Sequence, residues 1–231
     1  MIHRVTRVTS TLDRIHQLAA DGAPSGTVVV AEEQLEGRGT RGRTWYSPPG
    51  GLWYTILYRD VNEIGVECLS LRIGLAVAAA IESVVPAVRL GIKWPNDLML
   101  GDRKLGGVLC EARWQGESLG WVAVGIGINV TNPLPREVTA TAIGLGSVAP
   151  AVTAVQLIDP VTVRLRRLPL DEVRLDPAEL ADLQGRDWLQ GRKLVEPVPG
   201  IARGISTDGA LLVEQEDGTV VSARAGRTRL G

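Results

Sequence analysis

The sequence predicts an α+β protein, because apolar strand-like runs alternate with helical segments before an all-β pattern near the C-terminus. Residues 52–59 (LWYTILYR) are rich in β-branched and aromatic side chains, which is typical of a buried strand. Residues 68–84 repeat apolar side chains at helical spacing. Asp-Gly pairs at 208–209 and 217–218 separate short alternating runs, which indicates β-hairpins.

The first 130 residues contain the elements of one domain. The predicted order is a strand over 1–8, a helix of about ten residues opened by 9–11, strands over 27–32 and 52–59, a helix over 68–84, a strand over 88–92, a hairpin of 98–100 and 104–113, and a strand over 121–130. Ser10 or Thr11 provides a hydroxyl cap for the first helix. Five glycines and two prolines make 34–51 a predicted loop.

The pattern of predicted elements changes after about residue 180, from mixed helices and strands to short strands. Residues 149–175 are predicted to be helical with proline interruptions, and 177–183 form a further short helix. The hairpin signals beyond residue 188 favour a small β-barrel. We therefore expect two domains, 1–183 and 184–231, with the boundary between them at about 182–187.

Composition limits the function classes. With a net charge of −1 and 45% hydrophobic residues, the chain is globular rather than disordered, and it lacks the broadly basic surface of a nucleic-acid-binding module. The sequence has no secretory signal and no apolar run of the roughly 18–20 residues that span a membrane, so we expect a cytoplasmic protein without a membrane partner. Two Cys and two His argue against a disulfide framework, a catalytic triad or a metal site.

Residues 37–45 (GRGTRGRTW) place three arginines within six positions, spaced by glycine. Arginine grips phosphate or carboxylate with parallel hydrogen bonds, and glycine lets backbone N–H groups approach an anion. An anion-binding loop is the favoured interpretation, while a nucleic-acid arm and a solvated surface loop stay open. Trp45 either stacks on a flat ring or anchors the loop to the core.

Three further segments combine polar side chains with glycine in or beside strands. They are 93–97 (KWPND), 103–109 (RKLGGVL) and 125–129 (GIGIN). Only three of the 25 Lys and Arg residues are lysines, and Lys93 and Lys104 both lie in these segments. Glycine inside a strand marks a bulge or the close approach of a ligand or another element. A polar turn and simple helix-on-sheet packing are the alternative explanations.

Together, these segments resemble the biotin protein ligases, also called biotin–[acetyl-CoA-carboxylase] ligases. AEEQ at 31–34 and SPPGGLW at 47–53 flank the arginine loop with the family's spacing, and the other motifs follow in the family's order over nearly the whole chain. The resemblance implies a mixed, largely antiparallel sheet flanked by helices, followed by an SH3-like β-barrel. It also implies a short form without the N-terminal DNA-binding domain, and therefore no sequence-specific nucleic-acid binding.

The activity implied by the resemblance has two steps. The carboxylate of biotin attacks the α-phosphate of ATP, which gives biotinoyl-5′-AMP and pyrophosphate. A lysine of a biotin carboxyl carrier protein then attacks the mixed anhydride and releases AMP. ATP with Mg²⁺ bridged by its phosphates, rather than a metal held by protein ligands, is the implied cofactor. Family members commonly pair through sheet strands, so a homodimer is compatible with the resemblance.

The resemblance also carries roles over to residues of this chain. The implied biotin-binding positions are Ser10, Thr11, Gln34, Arg38, Gly39, Thr40, Lys104 and Gly107. The implied ATP and adenylate positions are Arg38, Arg41, Arg43, Trp45, Asn96 and Asn129. The implied catalytic residues are Arg38, Lys104, which contacts the carboxylate and the reacting phosphate, and Asp97, a base for the incoming lysine.

The chain departs from the family pattern at three positions. Thr9 and Leu12 flank Ser10-Thr11 where the family has Asp and Asn, and Thr40 stands where the family has a second loop arginine. We hypothesise that Thr40 weakens retention of the adenylate, or that Arg41 takes over the contact. A lipoate–protein ligase with the same adenylate chemistry and an inactive biotin-binding relative are the alternative functions.

Overall fold

A seven-stranded sheet forms the centre of the computed structural model, which describes residues 1–59, 61–63 and 66–231. Its strands in chain order are β1 (Ile2–Val8), β2 (Val28–Gln34), β3 (Leu52–Tyr58), β4 (Gly91–Lys93), β5 (Asp97–Leu100), β6 (Arg103–Gln115) and β7 (Ser118–Ile128). Across the sheet their order is β1-β2-β3-β7-β6-β5-β4. Only β1 and β2 are parallel, so the prediction of a mixed, largely antiparallel sheet is confirmed.

Helices cover both faces of this sheet. They are α1 (Thr11–Ala20), α2 (Val66–Val84), α3 (Ala154–Leu165) and α4 (Pro177–Gln184). Alternation along β2 shows the two faces: Val29 packs with α1, whereas Val28 and Val30 belong to the larger core under α2 and α3. Ser10 caps α1 by accepting a hydrogen bond from the Leu12 N–H, as its residue type predicts.

Two sequence predictions in this domain need correction. The strand predicted over 88–92 is shorter and later, because β4 begins only at Gly91. The helical region predicted over 149–175 is reduced to α3, and Pro160 lies inside that helix instead of ending it. A Thr153–Gln156 capping box sets the start of α3.

The C-terminal region is a five-stranded antiparallel sheet. Its strands are β8 (Lys193–Glu196), β9 (Gly200–Ile205), β10 (Leu211–Glu214), β11 (Val220–Ala223) and β12 (Arg229–Leu230), in the order β11-β10-β9-β8-β12. The predicted hairpins are present, and the five-stranded antiparallel sheet is consistent with the predicted SH3-like domain; it is not a closed barrel, since β11 and β12 are edges that do not pair in the described chain. The boundary at 183–184 stays a prediction.

Contacts connect the C-terminal sheet to the central domain next to the KWPND segment. The buried indole of Trp94 donates from Nε1 to the carbonyl of Gly209 over 2.9 Å. Ile92 of β4 forms a parallel bridge with Asp187. These contacts of Trp94 with Gly209 and of Ile92 with Asp187 therefore hold the segment that leads from β4 into β5.

A buried arginine joins α2 to the segment that precedes α4. Arg72 is 2% exposed, and its Nε lies 2.9 Å from the carboxylate of Glu179. Its other guanidinium nitrogens donate to the backbone carbonyls of Pro169, Glu172 and Arg174. In the unfolded chain the Arg72 guanidinium and its acceptors form hydrogen bonds with water instead. Removing the guanidinium from the folded protein therefore leaves several acceptors without a donor.

We expect Arg72→Met to lower the free energy of unfolding by about 3 kcal/mol, because it removes the ion pair with the partly buried Glu179 carboxylate and leaves three carbonyls without their donor. Arg89→Met is the matched control, since Arg89 also pairs with glutamate and aspartate but is 61% exposed. That change is expected to cost about 0.5 kcal/mol or less. Urea unfolding of both variants checks the prediction, and equal losses would contradict it.

Candidate active site

The four polar segments singled out from the sequence meet around one cavity of about 400 Å³. It lies between α1, the loop after β2, the glycine-bearing parts of β6 and β7, and the segment that follows β7. The predicted site residues that line it are Thr11, Gln34, Arg38, Gly39, Thr40, Arg43, Trp45, Asn96, Lys104, Gly107 and Asn129. Ser10, Arg41 and Asp97 are not among its lining residues.

One end of the cavity is a chain of hydrogen-bonded polar groups. Gln34 Oε1 accepts from the backbone N–H and the hydroxyl of Thr11, at 2.8 and 2.9 Å. The hydroxyl of Thr55 donates to Thr11 Oγ1 over 2.7 Å, and Gln34 Nε2 donates to Ser47 Oγ over 2.9 Å. Ser10 is buried as the helix cap, so it supports this end without lining it.

The Gly-Arg loop has a fixed base. A Cβ on Gly37 would lie 2.3 Å from the Trp45 carbonyl oxygen and 2.5 Å from Ser47 Oγ, so only glycine fits there. The N–H of Trp45 donates to the carbonyl of Gly37 over 2.8 Å. Because this hydrogen bond brings Gly37 and Trp45 together, the residues between them form a narrow turn.

The tip of this turn carries the remaining loop arginines. Arg41 adopts a φ of 61°, in the left-handed region that a side chain rarely occupies, and its side chain is exposed. Arg43 folds back instead, with Nη2 donating to Thr40 Oγ1 over 3.0 Å. In this structure Arg43, rather than Arg41, therefore contacts the position where the family has its second arginine.

The guanidinium of Arg38 points away from the tip and bonds to two carboxylates. Nη1 lies 2.7 Å from Asp13 Oδ1, and Nε lies 3.3 Å from Glu111 Oε1. Glu111 also pairs with His16 Nε2 at 2.9 Å. Hydrogen bonds from His16 and then from Arg38 lower the pKa of Glu111 to about 2. The carboxylate is therefore ionised throughout the physiological range.

Lys104 and Asp97 form an ion pair at the other end of the cavity. Lys104 Nζ lies 2.5 Å from Asp97 Oδ1 and 5.1 Å from the ring centroid of Trp45. Gly107 is opposite Asp97 in the β5–β6 register, and a Cβ there would lie 3.4 Å from Lys104 Nζ. The glycine thus leaves room for the pair at the cavity wall.

Trp45 lies on the bare backbone of β7. A Cβ on Gly127 would be 2.5 Å from Trp45 Nε1, and that buried indole nitrogen has no hydrogen-bond acceptor within the described part of the chain. Gly125, on the same face, lies under the Leu12 side chain. The alternating glycines of the GIGIN motif therefore accept one aromatic and one aliphatic side chain of the cavity.

Two asparagines complete the predicted set. Asn96 Nδ2 donates to the carbonyl of Val108 over 2.6 Å, which ties the KWPND turn to β6. Asn129 is 5% exposed, and its Oδ1 accepts from Asn132 Nδ2 over 3.2 Å. Lys93 points elsewhere, with Nζ 5.3 Å from the Trp188 ring centroid, and burial lowers its pKa.

Sequence reasoning missed one wall of the cavity. The lining residues that it did not single out in the segment after β7 are Leu134, Pro135, Val138, Thr141 and Ala142. The carbonyl of Thr141 accepts a hydrogen bond from the Lys104 N–H over 2.7 Å, so this segment lies beside β6. Two prolines flanking a leucine are its only local signal, and they indicate a turn rather than a site.

No group of three or more His, Cys, Asp or Glu side chains in the described part of the chain is arranged to hold a metal ion. No helix in it is both long enough and apolar enough to cross a membrane.

Comparisons with known proteins agree with this geometry. The model of the biotin/lipoate A/B protein ligase family matches residues 2–129, and the model of the biotin protein ligase C-terminal domain matches residues 193–226. A structure of the biotin protein ligase from Aquifex aeolicus in complex with biotin and ATP has a TM-score of 0.85 at 26% identity, covering 100% of this chain and 99% of that one.

Curated relatives give similar results over different lengths. The biotin–[acetyl-CoA-carboxylase] ligase of Mycobacterium tuberculosis is 32% identical over 238 residues, which cover 94% of this chain and 84% of that protein. The bifunctional ligase/repressor BirA of Bacillus subtilis is 36% identical over 147 residues, which cover 62% of this chain. The match spans 45% of that BirA protein, somewhat less than half of its length.

The low pKa of Glu111 predicts a pH-dependent contribution to stability. The fall in the pKa of Glu111 from 4.5 to about 2 corresponds to a contribution to folding stability on the order of 3 kcal/mol, for a side chain that is 19% exposed. Because the pKa is lower in the folded state, this stabilisation is complete above about pH 4.5 and is lost as the pH falls towards 2.

We therefore expect the stability difference between wild type and Glu111→Gln to be about 1 kcal/mol smaller at about pH 3.5 than at about pH 5.5. Urea unfolding at both pH values measures it. The exposed Glu216→Gln is the control and is expected to show no such change. A difference for Glu111→Gln that is constant with pH would refute the assignment.

Proposed function

The chain belongs to the biotin/lipoate A/B protein ligase family, and from this we propose that it activates biotin with ATP and transfers it to a carrier-protein lysine. A biotin carboxylate oxygen bonds to the α-phosphorus of ATP as pyrophosphate leaves. The acceptor lysine nitrogen then bonds to the acyl carbon as AMP leaves. The observation that carries the proposal is the single cavity that combines a polar end at Gln34 with a cationic end at Lys104.

The polar end suits the ring of biotin. Thr11 and Gln34 offer hydrogen-bonding groups that are already oriented by Thr55 and Ser47. Groups held by one another lose little freedom when a ligand binds, so this end favours a small polar ring of fixed shape. Ser10 acts here through the helix cap, and Gly107 leaves space along the valeryl chain.

The loop and the opposite end suit the nucleotide. Biotin carboxylate and ATP are both anions, and positive charge placed between them lowers the barrier to their reaction. Lys104 provides that charge together with the loop arginines Arg41 and Arg43. Gly39 lets the backbone of the loop come close to the bound substrate. Trp45, Asn96 and Asn129 are the proposed contacts on the adenine side, and Arg38 supports the loop.

Magnesium enters this scheme as part of the MgATP substrate. As the family resemblance implies, the nucleotide phosphates would hold the ion. When bound, it neutralises phosphate charge, as Lys104 and the loop arginines do from the protein side.

The second step needs an acceptor. We propose a biotin carboxyl carrier protein or domain as the partner, with Asp97 accepting the proton of its lysine. A homodimer remains a proposal that follows from the family resemblance, and a cytoplasmic location and the domain boundary after residue 183 remain proposals that follow from the sequence pattern.

Transfer of labelled biotin to a purified carrier domain tests the function. Wild type is expected to label the carrier only with ATP present, and Lys104→Ala is expected to lose about 100-fold or more in rate, because a charge at the reacting centre is removed. The matched control is Lys193→Ala, which replaces an exposed lysine of β8 and should label the carrier at the wild-type rate. Incorporation of lipoate in place of biotin would overturn the substrate assignment.

Thr40 predicts weaker retention of the intermediate. Restoring the family residue with Thr40→Arg adds a charge-assisted hydrogen bond of roughly 1.5–3 kcal/mol, so the adenylate off-rate should fall about tenfold or more. Release of radiolabelled biotinoyl-AMP from the enzyme, chased with unlabelled biotin, measures this rate.

Thr40→Val is the control for the Thr40→Arg change. It removes only the hydroxyl that accepts from Arg43, without adding charge. If Thr40→Arg alters neither adenylate retention nor biotin affinity, position 40 does not control the intermediate.

A further inference from the structure

The arginine loop is held by very few bonds to the rest of the protein. Among the described residues, the side-chain hydrogen bonds that connect positions 38–44 to elements outside the loop all come from the guanidinium of Arg38. The remaining bonds of this stretch are internal, such as Gly39 N–H to the Arg43 carbonyl at 2.7 Å. The loop therefore depends on one side chain for its polar attachment.

The acceptors of that side chain come from two different elements. Asp13 lies on α1, and Glu111 lies on β6. Arg38 uses Nη1 for Asp13 at 2.7 Å and Nε and Nη2 for the two oxygens of Glu111, at 3.3 and 3.4 Å. A two-pronged contact of this kind fixes direction as well as distance. It also occupies the guanidinium, so the Arg38 side chain is not a free cation for a substrate.

Glu111 is itself oriented by a histidine. The indole Nε1 of Trp121 donates to His16 Nδ1 over 3.0 Å, so the neutral imidazole carries its proton on Nε2. That Nε2 lies 2.9 Å from Glu111 Oε2 and donates to it. His16 and Asp13 are three residues apart on α1, which places both on one side of the helix.

The helix that provides these groups also borders the cavity. Thr11 and Leu12, in the first turn of α1, line it, while Asp13 of the same turn contacts Arg38 and His16 of the next turn contacts Glu111. One rigid element thus places both the polar end of the cavity and the anchor of the loop.

We propose that Glu111 is a positioning residue: with His16 and Asp13 it holds the Arg38 guanidinium and so keeps the 38–44 loop in its binding conformation. The role assigned to Arg38 changes from contact with the reacting groups to attachment of the loop. This inference rests on the proposed function only for the kinetic part of its test.

The first measurement needs no substrate. Trypsin cleaves after arginine, and Arg41 and Arg43 are exposed at the loop tip. Glu111→Gln, which removes the charge but keeps the side-chain size, should be nicked at these sites about tenfold faster than wild type, as expected for loss of a charge-assisted bond. Asp13→Asn, at a position whose side chain is 43% exposed, should show a smaller increase.

Glu214→Gln is the matched control. It breaks another Glu–Arg pair, with Arg203 on the C-terminal sheet, and should leave both nicking of the loop and enzyme kinetics unchanged. Fragment masses identify the cleaved bond, so general unfolding, which exposes many sites, is distinguished from release of this loop.

The second measurement is biotin-dependent exchange of pyrophosphate into ATP. A loop that visits its binding conformation less often raises the apparent KM in proportion and leaves kcat nearly unchanged at saturation. We expect Glu111→Gln to raise the KM for biotin and ATP about tenfold with kcat within about threefold of wild type. Glu111→Asp, which keeps the charge, should recover part of the loss.

Either of two results would overturn the proposal. If trypsin nicks Glu111→Gln at the wild-type rate, the loop does not depend on the pair of Glu111 with Arg38. A fall in kcat at unchanged KM would show that Glu111 acts on the chemistry instead. A wild-type chain without exchange activity would refute the proposed function, while the nicking assay would still decide whether Glu111 anchors the loop.

Discussion

The close approach of the Trp45 indole to the backbone of Gly127 is the constraint on which the cavity depends. No side chain fits between them, since a Cβ on Gly127 would lie 2.5 Å from Trp45 Nε1. A Cβ on Gly37 would likewise be too close to the Trp45 carbonyl. These two contacts therefore fix the path of the loop between β2 and β3. Lys104 then packs over the indole and towards Asp97, so the position of the cation follows from the position of the tryptophan.

Charge in the cavity is balanced locally. The net charge of −1 conceals cations that are each held by carboxylates of the same chain: Arg38 by Asp13 and Glu111, and Lys104 by Asp97. A partly buried cation without a partner is costly, so these pairs make the site stable before any substrate binds. In the proposed reaction an anionic substrate therefore takes Lys104 from Asp97 instead of filling an empty positive pocket, while Arg38 keeps its carboxylate partners.

The sequence motifs predicted the cavity because their residues are unusual where they stand. Glycines inside strands and arginines spaced by glycine have few structural explanations, and most of the residues that they flagged line the cavity. Asp13, His16 and Glu111 have no such signal. Each is an ordinary polar residue, and their contacts join positions 25 to 95 residues apart, so only the folded structure, which brings α1 near Glu111 of β6, reveals them.

The closure of the C-terminal sheet was unpredictable for a related reason. Asp208-Gly209 and the second Asp-Gly pair report on local turns, which the structure contains, whereas closure depends on whether β11 and β12 meet. The short β12 instead ends beside β8. Hairpins are set by neighbouring residues, but the outline of a small sheet is set by strand lengths and register over its whole width.

The pairing of Lys104 with Asp97 also links the cation to the base in the proposed reaction. A carboxylate whose oxygen is held 2.5 Å from an ammonium group is poorly available to accept a proton. When a phosphate takes Lys104, that carboxylate loses its partner. The α-phosphate is present both in ATP and in the adenylate, so in the proposed scheme Asp97 is freed as a base while either nucleotide holds Lys104. The ion pair would thereby make proton transfer to Asp97 depend on bound nucleotide.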